Sequence, residues 1–433
     1  MKKITVALIG AGQRGSRYTN IMGDLPEKFQ VVAVAEPIER RRKYIQQKHN
    51  VPDEMCFNSW DELLALPKLA DMAIIATMDE MHYEPAMKAI SLGYDLLLEK
   101  PVAQTAKECA DIALAAKAKG VKVLVCHVLR YSPFFKAVKD LLMQGAIGDV
   151  MSGIQVEAVG NRHQSHSYVR GNWHSEKETT PMLLAKCCHD IDILQWLLDK
   201  PCKKVQSFGE LSHFCADNAP EGAPIRCADG GCPVADTCPY NCIKLYYDDK
   251  NNGWFRDACT KSVQKDGGAI TDEDVMTALK TTDYGLCVYH ANNDVVDHQT
   301  VNMQFEGGTT VTLHMNAFNE GGRYIRLFGT KGELYANMKD PEITLYTFAD
   351  RKTTQVPVKV VGEAITYGHG GGDNGIVEEL YDYFVGDYKG VCAADINISV
   401  KNHLIGFAAE VARHTDSVES IDDFFKSYGF DND

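Results

Sequence analysis

The chain has 433 residues, of which 45% are hydrophobic and 24% are charged, an ordinary composition for a globular protein of two or three domains. A formal net charge of −14 argues against binding to nucleic acids or acidic membranes, which would require a broad basic face. No segment approaches the ~20 apolar residues of a membrane helix. The apolar run in MKKITVALIGAG is too short for a signal peptide, so we expect a cytoplasmic protein whose 14 cysteines are mostly reduced and buried.

The first 127 residues alternate short apolar runs with helical patterns, and this alternation predicts a parallel α/β sheet. Helices are predicted from about residue 15 and over 84–93. The predicted strands cover residues 4–10, 31–36, 72–77, 94–100 and 121–127. Because parallel strands end at one edge of their sheet, we expect ligands to bind along that edge.

The pattern changes after residue 127. A helix over 133–144 is followed by strand candidates, among them a hairpin over 301–318 with Gly307-Gly308 at its tip and a second hairpin over 324–336. Helices over about 374–386 and 399–414 close the chain. We therefore predict a parallel α/β domain over 1–127 and an α+β domain over 128–433 with a mainly antiparallel open sheet and a cysteine-rich lobe at about 214–260.

A glycine-rich loop, GAGQRG, lies between the first strand and the first helix. The loop by itself is compatible with a simple turn. At the start of a helix, however, glycines let the backbone approach a pyrophosphate that the free N–H groups can bind. The predicted cofactor-binding residues of this loop are Gly10, Gly12, Gln13, Arg14 and Gly15.

An acidic residue supports a dinucleotide ligand. Glu36 ends the second predicted strand, 21 residues after Gly15, where a carboxylate can accept a hydrogen bond from the ribose 2′-hydroxyl. The same carboxylate repels a 2′-phosphate, which favours NAD over NADP. Arg40 and Arg41 follow closely, so NADP stays open, and Arg40 is itself a candidate cofactor contact.

Several longer motifs extend this pattern: ATMDEMHYEPAMKAISLGYDLLLEKP, the RY–KA–GAIGDV segment over 130–150, a later helix bearing a histidine, and FGTKGEL. With them the chain resembles, over nearly its full length, the glucose–fructose oxidoreductase / inositol dehydrogenase (Gfo/Idh/MocA) family. The resemblance implies a Rossmann domain and a sheet-based substrate domain that is often used for oligomerisation, hence a homodimer or homotetramer. It also implies NAD(P)-dependent oxidation of a sugar or cyclitol hydroxyl.

The EKP motif contains the first catalytic candidate. Lys100 follows a buried strand and precedes Pro101, so its ammonium should reach the cofactor crevice and stabilise a developing alkoxide. The alternative is a solvated lysine paired with Glu99, which is itself a predicted cofactor contact. Thr77 and His82, at the end of the preceding strand, are expected on the nicotinamide or ribose side, although His82 could equally cap a helix.

The segment TTPMLLAKCCHDIDILQWLL predicts one helix with a threonine N-cap and Pro181 in its first turn. Its apolar residues recur every three or four positions and form a buried stripe. Cys187 and Cys188 are expected in the core, because helix neighbours point ~100° apart and cannot chelate a metal together.

Three polar side chains of this helix are predicted to converge on another face: Lys186, His189 and Asp190. His189 can accept the hydroxyl proton as the hydride leaves, because its unperturbed pKa of ~6.5 is near working pH. Lys186 can position the substrate or tune the histidine, and Asp190 is expected to pair with Lys186. The alternative is a partly buried histidine capped by a carboxylate. Many relatives have an aspartate at the position of Ala185, so we expect Lys186 to take over its orienting role.

Further substrate contacts are predicted around this helix. RGNWH (170–174) contains Arg170, Trp173 and His174, which can stack on a sugar ring or bind its hydroxyls. His369 and Asp373, in GHGGGDN, can reach the pocket, or they can form the turn and cap the following helix. Tyr131 of the RY pair is another candidate.

A second cysteine cluster comprises Cys227, Cys232, Cys238 and Cys242, with Cys215 just before it. Their spacings are looser than a paired CxxC framework, so reduced loop cysteines are favoured over a structural zinc, and no metal is expected.

Three functions compete. The first is an NAD-dependent dehydrogenase of a sugar, glycoside or cyclitol that uses Glu36, Lys100 and His189. The second is a glycosidase that oxidises, eliminates and reduces again with its bound NAD, for which Lys186, His174 and His369 would supply further acid–base groups. The third is a sensor that only binds the dinucleotide.

Overall fold

The first sheet is parallel throughout. Its strands are buried on both faces, which is why the first apolar runs of the sequence are continuous and do not alternate. The computed structural model describes residues 3–264, 269–358 and 369–432. Six strands run in the order β3-β2-β1-β4-β5-β6. They are β1 (Ile4–Ile9), β2 (Phe29–Ala35), β3 (Cys56–Phe57), β4 (Met72–Ile75), β5 (Asp95–Leu98) and β6 (Val123–Val125). The helices between them are α1 (Gln13–Gly23), α2 (Glu39–His49), α3 (Trp60–Leu64), α4 (Tyr83–Ser91) and α5 (Ala106–Lys119). The strand order reverses beside β1, which opens a crevice there at the carboxyl ends of the strands.

The second sheet has nine strands and carries alternating side chains, buried on one face and exposed on the other. They are β7 (Val150–Ala158), β8 (Cys202–Glu210), β9 (His298–Phe305), β10 (Thr310–Asn316), β11 (Gly322–Gly329), β12 (Gly332–Asn337), β13 (Glu342–Thr347), β14 (Lys352–Pro357) and β15 (Glu419–Ser420). Their order is β14-β13-β12-β11-β7-β10-β9-β8-β15, and every neighbouring pair is antiparallel except β7 and β10. Both predicted hairpins form, as β9–β10 and β11–β12, and the predicted fold class is confirmed.

Among the described residues, some helices of the second part pack on this sheet, some return to the first sheet, and others belong to a lobe between β8 and β9. The helices of the second part are α6 (Pro133–Met143), α7 (Asn161–His163), α8 (Met182–Ala185), α9 (Cys188–Leu198), α10 (Gly253–Thr260), α11 (Asp272–Thr281), α12 (Gly372–Val385), α13 (Ile396–Thr415) and α14 (Ile421–Ser427). Helix α12 packs on α1, and α13 packs on α5 and α9. One hydrophobic core therefore runs through both sheets, and the division at residue 127 stays a prediction.

Residues 211–264 and 269–297, between β8 and β9, form a lobe with hydrophobic clusters of its own. One cluster packs Tyr246 and Phe255 against α11, and another packs Phe214 against Tyr240. Among the helices within 3–264, 269–358 and 369–432, none has the length and apolar character to cross a membrane. All 14 cysteines are free thiols.

Candidate active site

The glycine loop is shaped by contacts that only glycine permits. Gly10 has φ +88°, and a Cβ there would lie 2.5 Å from the carbonyl oxygen of Ala76. A Cβ on Gly15 would lie 2.0 Å from the carbonyl oxygen of Gly10. Gly12 differs, because its Cβ would meet only Arg41 Nη1, at 3.8 Å. Gly10 and Gly15 thus allow close strand–helix packing, whereas Gly12 faces open space at the start of α1.

That open space is a cavity of about 280 Å³. Its wall consists of Ala11, Gly12, Gln13, Ser16, Arg40, Arg41, Tyr44 and Asp257. The buried Glu36 carboxylate accepts hydrogen bonds from the backbone N–H groups of Ala11 (2.7 Å) and Ile38 (2.9 Å), which holds it at the cavity edge with lone pairs to spare. Arg40 is bound by Gln264 and Asp257 of the lobe, so its charge is partly neutralised.

Arg14 turns away from the cavity, contrary to the expected cofactor contact. Its Nε donates to Glu99 (2.8 Å), and its Nη atoms donate to both carboxylate oxygens of Asp373 (2.8 and 3.0 Å). Burial acts to raise the pKa of each carboxyl, but Arg14 and neighbouring hydrogen bonds hold both pKa values below their usual range. Arg14 therefore joins α1 to α12 and to the end of β5 through charge-assisted hydrogen bonds.

His82 is 1% exposed, and its ring nitrogens face the carbonyl oxygens of Pro101 (2.7 Å) and Thr77 (3.3 Å). It also stands at the N-terminus of α4, although its side chain makes no capping hydrogen bond. The ring therefore supports the loop that follows β5. The Thr77 hydroxyl donates to the carbonyl oxygen of Met81 (2.9 Å).

Lys100 leaves the carboxyl end of β5 and reaches the second domain. Its Nζ donates to the carbonyl oxygen of Ala185 (2.9 Å). Glu99 binds the backbone N–H of Lys100 and not its ammonium, so the solvated pair considered from the sequence is not formed. The carbonyl of Ala185 is available because α8 ends there.

The predicted single helix is interrupted at this point. Helix α8 ends at Ala185 and α9 begins at Cys188, with Lys186 at φ −117°, ψ −54° between them. The expected threonine cap was also wrong: Pro181 stands at the N-cap of α8, and no side chain caps the helix. Cys187 and Cys188 are fully buried, as predicted.

His189 lies just after the interruption, in a pocket of imidazoles. Its ring is 6.0 Å from that of His127 and 5.6 Å from that of His369, measured between centroids. The residue is 3% exposed, and neither ring nitrogen has a hydrogen-bond partner in the described part of the chain. Burial and the nearby Lys100 charge lower the pKa of His189 well below its ordinary value, which keeps the ring neutral and able to accept a proton.

Lys186 pairs with Glu157 of β7 (3.7 Å) and not with Asp190, so the predicted Lys186–Asp190 pair was wrong. Asp190 accepts instead from Gln155 (2.9 Å) and from Arg323 of β11 (3.0 Å). Arg323 also lies 2.5 Å from Glu157. Burial lowers the pKa of Lys186 and raises that of Glu157, each against the opposing effect of its partner.

The predicted substrate wall is only partly assembled. The Trp173 indole N–H donates to Asp79 (2.9 Å), beneath the loop after β4. His369 approaches His189 and binds Asp373 through Nδ1 (3.0 Å). His174 is half-buried, and its Nδ1–H donates to the carbonyl oxygen of Gly171 (2.9 Å).

Two other predicted contacts lie elsewhere. Tyr131 is 3% exposed and packs against Gly375 of α12, within the core. Arg170 is also 3% exposed and donates to the carbonyl oxygens of Leu286 (2.7 Å) and Tyr240 (2.8 Å), so it belongs to the lobe.

Two family matches divide the chain in nearly the same way as the two sheets do. Residues 4–127 match the family described as "Oxidoreductase family, NAD-binding Rossmann fold", and residues 139–366 match its "C-terminal alpha/beta domain". The chain belongs to the Gfo/Idh/MocA oxidoreductase family. It is therefore an NAD(P)-dependent oxidoreductase by family, and its predicted Rossmann domain and NAD cofactor are confirmed at that level.

Relatives of this Gfo/Idh/MocA protein differ in how much of the chain they share. YteT of Bacillus subtilis (strain 168) is 25% identical over 386 residues, which cover 85% of this chain and 83% of YteT. The 2,7-anhydro-N-acetylneuraminate hydratase of Escherichia coli (strain K12) is 26% identical over 48% of this chain and 54% of its own. A crystal structure of an Agrobacterium radiobacter oxidoreductase in complex with NAD+, L-tartaric acid and magnesium superposes with a TM-score of 0.67 at 13% identity, covering 97% of this chain and 99% of that one.

Two site residues of this Gfo/Idh/MocA protein were not predicted: Glu157 and Arg323. Glu157 is in the nine-residue strand β7, and Arg323 follows two glycines in GGRYIR. The signal that could have found these residues was a charged side chain inside a strand whose buried and exposed positions otherwise alternate. Nothing in the sequence, however, indicated that these strands pack beside α9.

Proposed function

We propose that the protein oxidises a hydroxyl-bearing carbon of a sugar, glycoside or cyclitol, with His189 as the base and Lys100 as the cation at the reacting oxygen. The main observation that supports this proposal is the buried, neutral imidazole of His189 next to the Lys100 ammonium, at the carboxyl end of β5. The sugar-derived substrate named for the Escherichia coli relative supports this substrate class.

Lys100 and His189 both act at the substrate hydroxyl. Lys100 can transfer one N–H donor from the carbonyl of Ala185 to the substrate oxygen, or donate with a second N–H, and so stabilise the charge that develops there. His189 accepts the hydroxyl proton, since the unpaired ring nitrogens are free for it within the described residues. The glycine loop and Glu36 would hold NAD, which would supply the hydride-accepting carbon when bound.

The remaining polar groups position the substrate. Arg323 fixes Glu157 and Asp190, and Glu157 in turn faces Lys186, which leaves the Lys186 ammonium near the pocket without a short hydrogen bond. A sugar ring offers several hydroxyls to such donors and acceptors, and Trp173 offers an apolar face for stacking.

The test is a spectral screen of the purified protein. Bound nicotinamide is quantified as isolated, and reduction of added NAD is then followed with a panel of sugars, cyclitols and glycosides. We expect turnover with at least one member and a loss of ~10²–10⁴ in kcat for His189→Asn. The matched control is His414→Asn at an exposed position of α13, which should retain activity. Unchanged kcat in a Lys100→Met, His189→Asn double variant that still binds NAD would remove both residues from the reaction.

A second candidate is a redox-neutral lyase or glycosidase that oxidises, eliminates and reduces again. The observation that favours it is the Lys186–Glu157 pair, because a lysine whose pKa is lowered by burial can remove a proton from the carbon next to a transient ketone. The hydratase relative acts on an anhydro sugar by name.

One measurement separates the two candidates. Cleavage of a chromogenic glycoside without added cofactor, accompanied by no net NADH, supports the redox-neutral route. Strict stoichiometry between product and NADH supports the dehydrogenase. If neither reaction occurs while NAD binds stoichiometrically, the sensor alternative gains support and both enzymatic proposals fail.

A further inference from the structure

One acidic residue of the lobe lies on the wall of the cavity at the glycine loop. Asp257 belongs to α10, whereas the other residues of that wall come from the glycine loop, α1 and α2. Its side chain is 48% exposed. The lobe therefore adds a carboxylate to a site that the first domain builds for a dinucleotide.

Two arginines of α2 share this carboxylate. Arg40 Nη2 lies 3.3 Å from Asp257 Oδ1, and Arg41 Nη2 lies 4.0 Å from Oδ2. Arg40 also donates through Nη1 to the side-chain oxygen of Gln264, and Arg41 Nη1 lies 3.8 Å from the position that a Cβ on Gly12 would take. The two arginine side chains are only 16% and 22% exposed, so water and salt screen their charges less than those of a fully exposed pair.

We propose that Asp257 is a specificity-determining residue, which disfavours NADP by holding Arg40 and Arg41. In a Rossmann domain, an arginine close behind the second strand is the usual partner of the NADP 2′-phosphate. Here both arginines already have an anionic partner, and that carboxylate repels a further negative group. The inference concerns cofactor binding alone and does not rest on the proposed substrate or reaction.

Glu36 acts in the same direction from the first domain. It is 4% exposed, and backbone N–H groups of Ala11 and Ile38 hold its carboxylate at the cavity edge. A carboxylate at this point can accept a hydrogen bond from a ribose 2′-hydroxyl, and it repels a phosphate on the same oxygen. NADP would thus meet two negative groups, and such repulsion is a common means of selecting one of two similar ligands.

The neighbouring cations are engaged elsewhere. Arg42 donates to the backbone carbonyl oxygen of Glu36, and Lys261 donates to the side-chain oxygen of Asn172 (3.1 Å). Neither cation is on the wall of the cavity. The arginines held by Asp257 are therefore the cations placed to bind a 2′-phosphate once that carboxylate is removed.

No motif of the first domain reveals this contact. Asp257 lies 217 positions after Arg40 in the sequence. The sequence left NADP open because Arg40 and Arg41 follow Glu36 closely, and the structure adds the lobe residue that occupies both of them.

The test measures binding and needs no substrate. Calorimetry with the full chain gives the affinities for NAD and NADP, and for AMP and adenosine 2′,5′-bisphosphate, which differ only in the 2′-phosphate. The wild-type protein should prefer NAD and AMP. Asp257→Asn should narrow both preferences by about tenfold, because the freed arginines can form charge-assisted hydrogen bonds to the phosphate. Equal wild-type affinities for NAD and NADP would overturn the proposal, and so would an unchanged preference in Asp257→Asn.

Asp272→Asn is the matched control. Asp272 belongs to the same lobe, is 50% exposed, and pairs with Lys250 (2.6 Å) and Arg256 (2.9 Å), but it is not on the cavity wall. Its replacement should leave the preference for NAD as it is in the wild type. An equal narrowing in the two variants would overturn the proposal, because the effect would then come from a general disturbance of the lobe.

Double variants assign the effect to the arginines. Adding Arg40→Met or Arg41→Met to Asp257→Asn should remove part or all of the gained affinity for adenosine 2′,5′-bisphosphate while the affinity for AMP changes little. Full retention of the gain in both double variants would overturn the assigned mechanism. Asp257→Ala repeats the comparison if Asp257→Asn folds poorly, and a preference for NAD equal to that of the wild type would count against the proposal in the same way.

Discussion

Arg323 joins two buried carboxylates, and its replacement should be among the most damaging single changes in the second domain. It lies 2.5 Å from Glu157 and 3.0 Å from Asp190, and all three side chains are at most 10% exposed. Arg323→Met leaves both carboxylates without their main cation. Breaking a buried pair by removing one partner costs about 3–5 kcal/mol, so we expect a loss of that size in the free energy of unfolding.

The same strand supplies the control. Arg326 lies three residues further along β11, with 49% of its side chain exposed, and pairs with Glu333. Exposed pairs contribute ~0.2–1 kcal/mol, so Arg326→Met should barely move the transition. Equilibrium urea unfolding followed by tryptophan fluorescence compares the two variants. A loss for Arg323→Met no larger than that for Arg326→Met would refute the account of the cluster.

The pH dependence adds a second check on Arg323→Met. Burial raises the pKa of Glu157 in the folded protein, and Arg323 is the strongest opposing influence. A carboxyl with a raised folded pKa favours folding in its protonated form, so the stability it contributes is present at low pH and is lost as pH rises through the folded value. Removing Arg323 raises that pKa further. The stability lost by Arg323→Met should therefore be largest above the raised pKa of Glu157 and should shrink as pH falls toward the ordinary glutamate pKa of ~4.3. A stability loss that does not change with pH would contradict this.

Three further predictions concern the cofactor loop and the acid–base groups. Gly12→Ala should keep the wild-type urea midpoint, because its Cβ meets nothing closer than 3.8 Å, yet it should weaken NAD binding in calorimetry. Gly10→Ala should lose ~1–3 kcal/mol or more in the free energy of unfolding, because φ is +88° and a carbonyl oxygen would lie 2.5 Å from its Cβ. Equal stability of the two variants would contradict the loop geometry. The acid limb of kcat/KM should lie below ~6.5, because burial lowers the pKa of His189 and only the neutral ring accepts a proton; a limb above that value would exclude it as the base. Lys186→Met should lower kcat by ~10²–10⁴ while the exposed Lys177→Met leaves it unchanged, and identical kcat values would show that Lys186 takes no part.

Local patterns predicted much of the fold. The GAGQRG loop and Glu36 are read from spacing alone, because strand, turn and helix follow one another within about thirty residues. The β9–β10 hairpin was equally local, since two glycines at positive φ mark its tip. Alternation within strands then indicated which face of the second sheet is buried.

The partners of charged residues could not be read in this way. Arg14 binds Asp373 across 359 positions of sequence, and Asp190 binds Arg323 across 133. Neither pairing leaves a local signal, so Arg14 was predicted as a phosphate contact and Asp190 as a partner of Lys186. The interruption of the helix at Lys186 was also hidden, because the apolar residues on both sides keep the same periodicity.

The return of α12 and α13 to the first sheet bears on how the protein is made. Residues 1–127 leave the ribosome first, but the helices that cover part of their apolar surface are synthesised about 270 residues later. At a translation rate of ~5–20 residues per second, that surface waits for roughly 15–55 s. During this interval the nascent first domain exposes the faces of α1 and α5 that its own chain has not yet covered, and a chaperone that binds apolar surface would find its target there.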